Sequence, residues 1–304
     1  MKPTAGERLF IIDASIFIFR YYFSMPPNWQ ASNGRPTETV YGYAQWLEKF
    51  LRKEQPTHVV ACFDESLGSC FRNEIYSDYK VSRVLPDEDL AFQLLACKKV
   101  TEYMGVPCFA SDRYEADDLV GSFAMMSHKA GVPCAILTRD KDLAQLLFSD
   151  SIHLWDYPDA APFFGADLYE KLNVHPDQVA DYLALVGDVG DDIPGVPGVG
   201  AKTAAALLMH MQNWAGIQAN LDQIHCLPIR GAKRLQEKIK THVAQIEVAR
   251  QLTQIVLDAV DARWQDVQRR TIVGEPLCEL TAGLGFPPSF MAKVEKLKKR
   301  EKPL

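Results

Sequence analysis

The sequence predicts an α/β fold: a mostly parallel, twisted central sheet flanked by helices, followed by a helical C-terminal subdomain. Three observations carry this expectation. Over the first two-thirds of the chain short apolar runs alternate with helical patterns, as parallel strands joined by crossover helices do. Three of those runs close on, or just before, a carboxylate. After Pro176 the pattern turns wholly helical.

Taken in order, Leu9-Phe10-Ile11-Ile12 forms the first strand and ends at Asp13. The stretch from Lys2 to Phe23 sets a basic residue ahead of an apolar run, as a signal peptide does. Asp13 and Arg20 interrupt that run and no small-residue cleavage site follows, so a strand and then a helix are expected. His58-Val59-Val60-Ala61-Cys62-Phe63 forms the second strand and ends at Asp64. Glu65 to Pro86 is polar, with Phe71, Tyr76 and Tyr79 interleaved with Arg72, Lys80 and Arg83. It has neither a helical nor a strand period and reads as a mobile excursion above the sheet edge. A helix starts near Asp87, and another near Tyr114 continues through Ser127. Pro133-Cys134-Ala135-Ile136-Leu137-Thr138 is the third strand, ending just before Asp140. Further on, Gly195-Val196-Pro197-Gly198-Val199-Gly200 breaks the helical region, and Arg230, Lys233, Arg234, Lys238 and Lys240 mark a second helix-turn-helix step. The expected division is 1–175 as the α/β domain with the excursion at 65–86, 176–260 as the helical subdomain, and 261–304 as an extension. Its lysine-rich end, Lys293 to Lys302, reads as a solvated terminus.

Composition bounds the function classes. At 47% hydrophobic and 24% charged residues the chain is an ordinary folded globule, not a long disordered segment. The seven cysteines are odd in number and form no CxxC pair, which excludes a zinc ribbon or dithiol motif and suits a reducing cytoplasm. No run approaches the roughly 20 uninterrupted apolar residues of a membrane span, so a soluble, cytoplasmic protein is expected. A net charge of −6 argues against a nucleic-acid partner until the acids are located. Many cluster where bound cations would cancel them, and the basic residues are grouped.

Ligands of open α/β sheets bind beyond the carboxyl ends of the strands. One aspartate after one strand is a turn former or helix cap; three such endings place acids along one edge. Glu115, Asp117 and Asp118 add three carboxylates at a helix start, where capping requires one or two. Asp140 and Asp142 lie at a strand-to-helix junction, and Asp188 and Asp191, spaced i and i+3, would share a face on a helical turn. Crowded acids of this kind suit a hard cation such as Mg²⁺ or Mn²⁺, which takes oxygen ligands and relieves their repulsion. Other chemistries fail: there is no GxSxG elbow, no HExxH, and no Walker loop, since the glycine turn lacks GK[ST] in frame. His58, beside an apolar strand, reads as packed or solvated. The glycine turn, with Lys202 and Thr203 following, is either a structural helix-helix turn or a phosphate site at a helix N-terminus.

Together these residues resemble the 5′-nuclease family, the 5′→3′ exonuclease domain of bacterial DNA polymerase I and related flap endonucleases. The resemblance runs from about Leu9 to about Asp258, through the Asp13 strand end, Phe63-Asp64, Phe71-Arg72, Tyr79-Lys80, Arg83, Tyr114 to Asp118, Thr138 to Asp142, and Gly187-Asp188 leading into the glycine turn. It implies a PIN-like 5′-nuclease fold with a helix–three-turn–helix motif, and a stand-alone member without a polymerase domain. It also implies two divalent ions. Asp13, Asp64, Glu115 and Asp117 would surround the first; Asp117 or Asp118 with Asp140, Asp142, Asp188 and Asp191 would surround the second. Asp117 and Asp140 would thus be catalytic, as would Lys80 and Arg83 as arch residues that stabilise charge at the scissile phosphate. Arg72, Tyr76, Tyr79, Lys80, Arg83, Gly195, Gly198, Gly200, Lys202, Thr203, Lys233 and Arg234 would contact DNA. The two tyrosines stack on a base or pack within the fold, and a potassium ion is expected in the glycine turn. Asp192 stands where many relatives carry Asn.

The implied activity is structure-selective 5′→3′ exonuclease and flap endonuclease cleavage of 5′-flap, nicked or branched DNA, or of RNA–DNA primers, in replication or repair, by a monomer. The alternatives are a PIN-like ribonuclease, weakened by the glycine-rich helical hairpin, and a non-catalytic module that binds branched DNA.

Overall fold

The computed structural model describes residues 7–299. In chain order the elements begin with β1 (Leu9–Asp13), α1 (Ala14–Ser24), α2 (Glu38–Glu54), β2 (His58–Asp64), α3 (Phe71–Ile75) and α4 (Glu88–Tyr103). Next come β3 (Cys108–Ser111), α5 (Ala116–Ala130), β4 (Cys134–Leu137), β5 (Ile152–Trp155), α6 (Gly165–Leu172) and α7 (Val179–Val186). A two-residue hairpin, β6 (Gly187–Asp188) and β7 (Ile193–Pro194), precedes α8 (Ala201–Met211), α9 (Trp214–Ala219), α10 (Ala232–Thr241) and α11 (Val243–Thr253). The chain closes with α12 (Gly274–Gly283) and α13 (Pro288–Lys298).

These elements form two compact units. Unit 1 comprises Met1–Glu65, Leu85–Arg139 and Leu257–Leu304; unit 2 comprises Ser66–Val84 and Asp140–Val256. The units cut the chain differently from the expected division at 175 and 260. Residues 140–175 pack with the helical region because their contacts run to α7, and the residues after 257 return to unit 1 through α12 on α4 and α13 on α2. The far end of the basic tail, residues 300–304, lies outside the described residues.

Unit 1 is built on parallel strands in the order β3-β2-β1-β4. β1 is buried throughout and β2 up to its last residue, as strands covered by helices must be. Register fixes where the acids go. Asp13 pairs with Cys62 and Asp64 with Ser111, so both carboxylates stand at the carboxyl ends of neighbouring strands. Helices α1, α2 and α5 pack against this sheet, and α1 packs on α2, with Phe17 stacked on Trp46 at 4.0 Å. His58 is packed, as one of its two readings had it: it is buried and stacked on Trp264 at 4.9 Å.

Unit 2 is a helical cluster whose core joins Leu185, Ile193, Val196, Leu207, Trp214, Ile239 and Leu252. Two expectations are corrected here. Residues 66–84 do not form a free excursion: they contain α3, and they pack on α11. Arg72 is 2% exposed and donates to the carbonyls of Leu252 at 2.7 Å and Gln254 at 2.9 Å. Asp188 and Asp191 do not sit on a helical turn. They belong to the antiparallel β6–β7 hairpin, because Gly187 takes φ +87° and ends α7.

Candidate metal centre

The acids expected as ligands divide between the two units. Unit 1 holds Asp13, Asp64, Glu115, Asp117 and Asp118. Asp13 is 3% exposed at the end of β1, and Thr138 Oγ1 donates to its Oδ2 at 2.9 Å. Asp64 is half-buried, and its backbone N–H donates to Ser15 Oγ at 3.3 Å. Glu115 is the N-cap of α5, and its backbone N–H donates to Asp118 Oδ2 at 3.2 Å, an arrangement that satisfies a donor the helix start leaves open. The capping box draws on Glu115 and Asp118 and leaves Asp117 outside it. Asp118 is fully buried, Glu115 nearly so and Asp117 half-buried. Burial pushes the Cys62 thiol, beside Asp13 and Asp117, far above the usual range, and those two charges push it further. A neutral thiol therefore lines this edge.

Unit 2 holds Asp140, Asp142, Asp188 and Asp191. Asp142 opens a short 3₁₀ turn, Asp142–Leu146, and its backbone N–H donates to Asp140 Oδ1 at 2.8 Å. Its carboxyl is pushed up to about 8, first by burial and then by the charges of Asp140, Asp188 and Asp191 and a hydrogen bond to Asp188. A divalent cation at this point would relieve the same crowding.

Asp191 is met by three residues of the 66–84 segment. Arg83 donates to Oδ1 at 2.6 Å, Tyr79 donates its hydroxyl to Oδ2 at 3.2 Å, and Lys80 Nζ lies 3.5 Å from Oδ2. Lys80 holds a left-handed backbone, φ +54°, and its N–H donates to the Asp191 carbonyl at 3.1 Å. Asp192, at φ +56°, accepts from both Ser82 N–H and Ser82 Oγ, bonds that hold its carboxyl below the usual range. Tyr79 is 3% exposed and belongs to the core, which decides its case for packing over base stacking. Tyr76 lines an open hollow of about 360 Å³ with Asp78, Asp188, Val189 and Asp192.

The glycine turn lies in unit 2. A Cβ on Gly195 would stand 2.0 Å from the Val186 carbonyl oxygen, so only glycine fits there. Gly198, at φ +73°, lies against Lys238 Nζ, which brings that lysine of the basic track to the turn. Gly200 caps α8, whose first residues carry exposed Lys202 and half-buried Thr203. Lys233 and Arg234 are exposed on α10, opposite buried Leu235 and Ile239. Gln245 Nε2 donates to the carbonyls of Pro194 and Gly195, both at 3.0 Å.

Among the described residues, no three Asp, Glu, His or Cys side chains already enclose a single ion-sized point. The donor chemistry nonetheless fits a hard divalent ion: every expected ligand is a carboxylate, and Asp142 is crowded enough to hold a proton near neutral pH. Sequence reading missed β3 and the Thr138–Asp13 hydrogen bond. The signal for the first was Val106-Pro107-Cys108-Phe109-Ala110, a short apolar run ahead of Glu115; a single hydroxyl carries no pattern of its own.

The family model for the 5′-3′ exonuclease N-terminal resolvase-like domain matches residues 8–180, and that for the 5′-3′ exonuclease C-terminal SAM fold matches residues 174–274. The 5′-3′ exonuclease of Buchnera aphidicola subsp. Schizaphis graminum is 31% identical over 258 residues, 85% of this chain and 89% of that protein. DNA polymerase I of Rhizobium leguminosarum is 32% identical over 260 residues, 83% of this chain and 25% of that protein. The chain spans about a quarter to a third of the DNA polymerase I relatives it matches. Among solved structures it shares the fold of the T5 5′-exonuclease bound to divalent zinc, with TM-score 0.65, 19% identity, and 96% and 99% of the two chains covered. It shares it equally with the bacteriophage T5 D15 flap endonuclease in complex with DNA and metal ions, with TM-score 0.63, 20% identity, and 97% and 100% covered. On the strength of the two family models and the exonuclease relative, the chain belongs to the 5′-3′ exonuclease family.

Proposed function

We propose that this chain hydrolyses phosphodiester bonds of 5′-flap, nicked or branched DNA in the 5′→3′ sense, with Mg²⁺ or Mn²⁺ as cofactor. The observation that carries the reading is the crowding of Asp142 by Asp140, Asp188 and Asp191, with the Asp142 backbone N–H donating to Asp140 Oδ1 at 2.8 Å. So crowded a set of acids is costly to maintain unless it meets a cation. Asp13, Asp64, Glu115 and Asp117 would hold one ion; Asp140, Asp142, Asp188 and Asp191 would hold the other. Bound ions would supply a nucleophile from water at neutral pH and a clamp on phosphoryl oxygens.

The remaining roles fall to this chain's own side chains. Lys80 and Arg83 carry positive charge to Asp191, at one end of the acid set, and from there would neutralise charge on a phosphate. The N-terminus of α8, with Lys202, Thr203 and Lys238 beside Gly198, would hold a duplex phosphate without reading sequence. Lys233 and Arg234 extend that contact along α10. Tyr76, on the hollow beside Asp188, would meet an unpaired base. A potassium ion in the glycine turn would share the Pro194 and Gly195 carbonyls with the Gln245 amide. Arg72 serves the fold, since two backbone carbonyls hold it.

The test is cleavage of a 5′-labelled flap duplex in Mg²⁺ or Mn²⁺, run beside single-stranded RNA. The reading predicts shortened flap products, lost in Asp140→Ala. An intact flap in both metals would overturn it, and preferential cleavage of the RNA would favour the ribonuclease alternative.

A further inference from the structure

We propose that Thr138 is a positioning residue for Asp13, fixing the direction in which that carboxylate presents its second oxygen to a divalent cation. The inference rests on the reading of Asp13 as a metal ligand and adds a residue to which no role has been given. β1 and β4 run parallel, with Ile12 opposite Leu137 as their last registered pair. The next residues, Asp13 and Thr138, therefore leave the sheet side by side. Both are buried, at 3% and 2% exposure, and the hydroxyl donates across the strand ends at 2.9 Å. The direction of that bond is fixed by chemistry, because an ionised carboxylate only accepts.

The surroundings make this contact matter. The terminal torsion of an aspartate is broad and loosely held on its own. Threonine, branched at Cβ, has few rotamers and so makes a stiff donor. A threonine at a strand end usually has water or a nearby carbonyl as partner. Here it reaches a carboxylate 125 residues distant in sequence. Hydrogen bonds of this kind to metal-binding carboxylates set ligand orientation, and their loss typically weakens metal affinity about 10–100-fold. Ser15, at the start of α1, accepts the backbone N–H of Asp64 and so ties the end of β2 to α1.

The experiment is Mn²⁺ titration by calorimetry on the full chain, comparing Thr138→Val, Thr138→Ser and Asp13→Asn, with circular dichroism as the check on folding. Thr138→Val keeps the shape and removes the donor, so one class of Mn²⁺ site should weaken about 10–100-fold. Thr138→Ser keeps the donor and should titrate as the parent does. In flap cleavage, raising Mn²⁺ should restore turnover in Thr138→Val but not in Asp13→Asn, a distinction that a packing defect would not produce. If Asp13→Asn abolishes the site while Thr138→Val titrates normally, the positioning role is wrong and the ligand reading stands. If Asp13→Asn also titrates normally, the ligand reading itself fails. If Thr138→Ser weakens binding as much as Thr138→Val, or Thr138→Val does not fold while Thr138→Ser weakens binding, the methyl contact and not the hydroxyl is responsible, and the proposal is overturned.

Discussion

In unit 1 Asp13 receives a hydroxyl and Asp118 receives a backbone N–H, both neutral donors built into strand and helix ends. In unit 2 Asp191 is met by a guanidinium, an ammonium and a phenol, while the Asp142 carboxyl is raised by burial and by the charges of Asp140, Asp188 and Asp191. The unit 2 set thus balances Asp191 with two long cationic side chains. A carboxylate balanced by lysine or arginine must exchange those partners for an incoming cation, and one raised to about 8 must also lose a proton below that pH. The unit 2 acids should therefore bind divalent ions with a stronger dependence on pH than the unit 1 acids.

The comparison can be broken in several places. The largest effect is expected at Arg72, which the sequence cast as a DNA contact and the structure buries. Arg72→Ala removes two charged hydrogen bonds to α11 and should cost about 3 kcal/mol of stability, read from the denaturation midpoint. A variant of parental stability but weakened DNA binding would return Arg72 to its expected role. Next is Gly195, whose added Cβ would strike the Val186 carbonyl. Gly195→Ala should cost about 1–3 kcal/mol and disturb the adjacent acid hairpin, with Mn²⁺ binding impaired at one site and intact at the other.

The pH response is smaller and concerns Asp142. Its carboxyl is raised from 3.8 to about 8, so between those values the folded chain carries a proton that the unfolded chain has lost. The stabilisation is fully present below the unfolded value and is lost as pH rises towards 8. In chelator, thermal stability should therefore decline from about pH 4 to about pH 8, and Asp142→Asn should flatten that slope. In saturating Mg²⁺ the decline should also shrink, because the cation takes the place of the proton. A slope unchanged by Asp142→Asn would mean that the crowding is relieved some other way.

What the sequence made legible follows the same division. The strand-end acids of unit 1 could be read because parallel buried strands appear as unbroken apolar runs, and the residue that ends the run is then conspicuous. The β1 and β2 boundaries matched to within a residue for that reason. Unit 2 was harder. An i, i+3 spacing fits a helical turn, and only the backbone of Gly187 shows that Asp188 and Asp191 lie on a hairpin. The burial of Arg72 depends on carbonyls some 180 positions away, and long-range packing leaves no local period. The acids could be named without that knowledge. Their partners Tyr79, Lys80 and Arg83 were recognised as residues of interest, but not as neighbours of Asp191.

The account's central claim is that the carboxylates form two sets serving two ions. The direct measurement is the Mn²⁺ stoichiometry of the full chain, the Asp13→Asn variant and the Asp188→Asn variant by calorimetry with electron paramagnetic resonance. The account predicts two ions for the parent, one for each variant, and a different site lost in each, with the ion that remains in Asp13→Asn showing the steeper pH dependence. A single ion in the parent, or the same site lost in both variants, would contradict it.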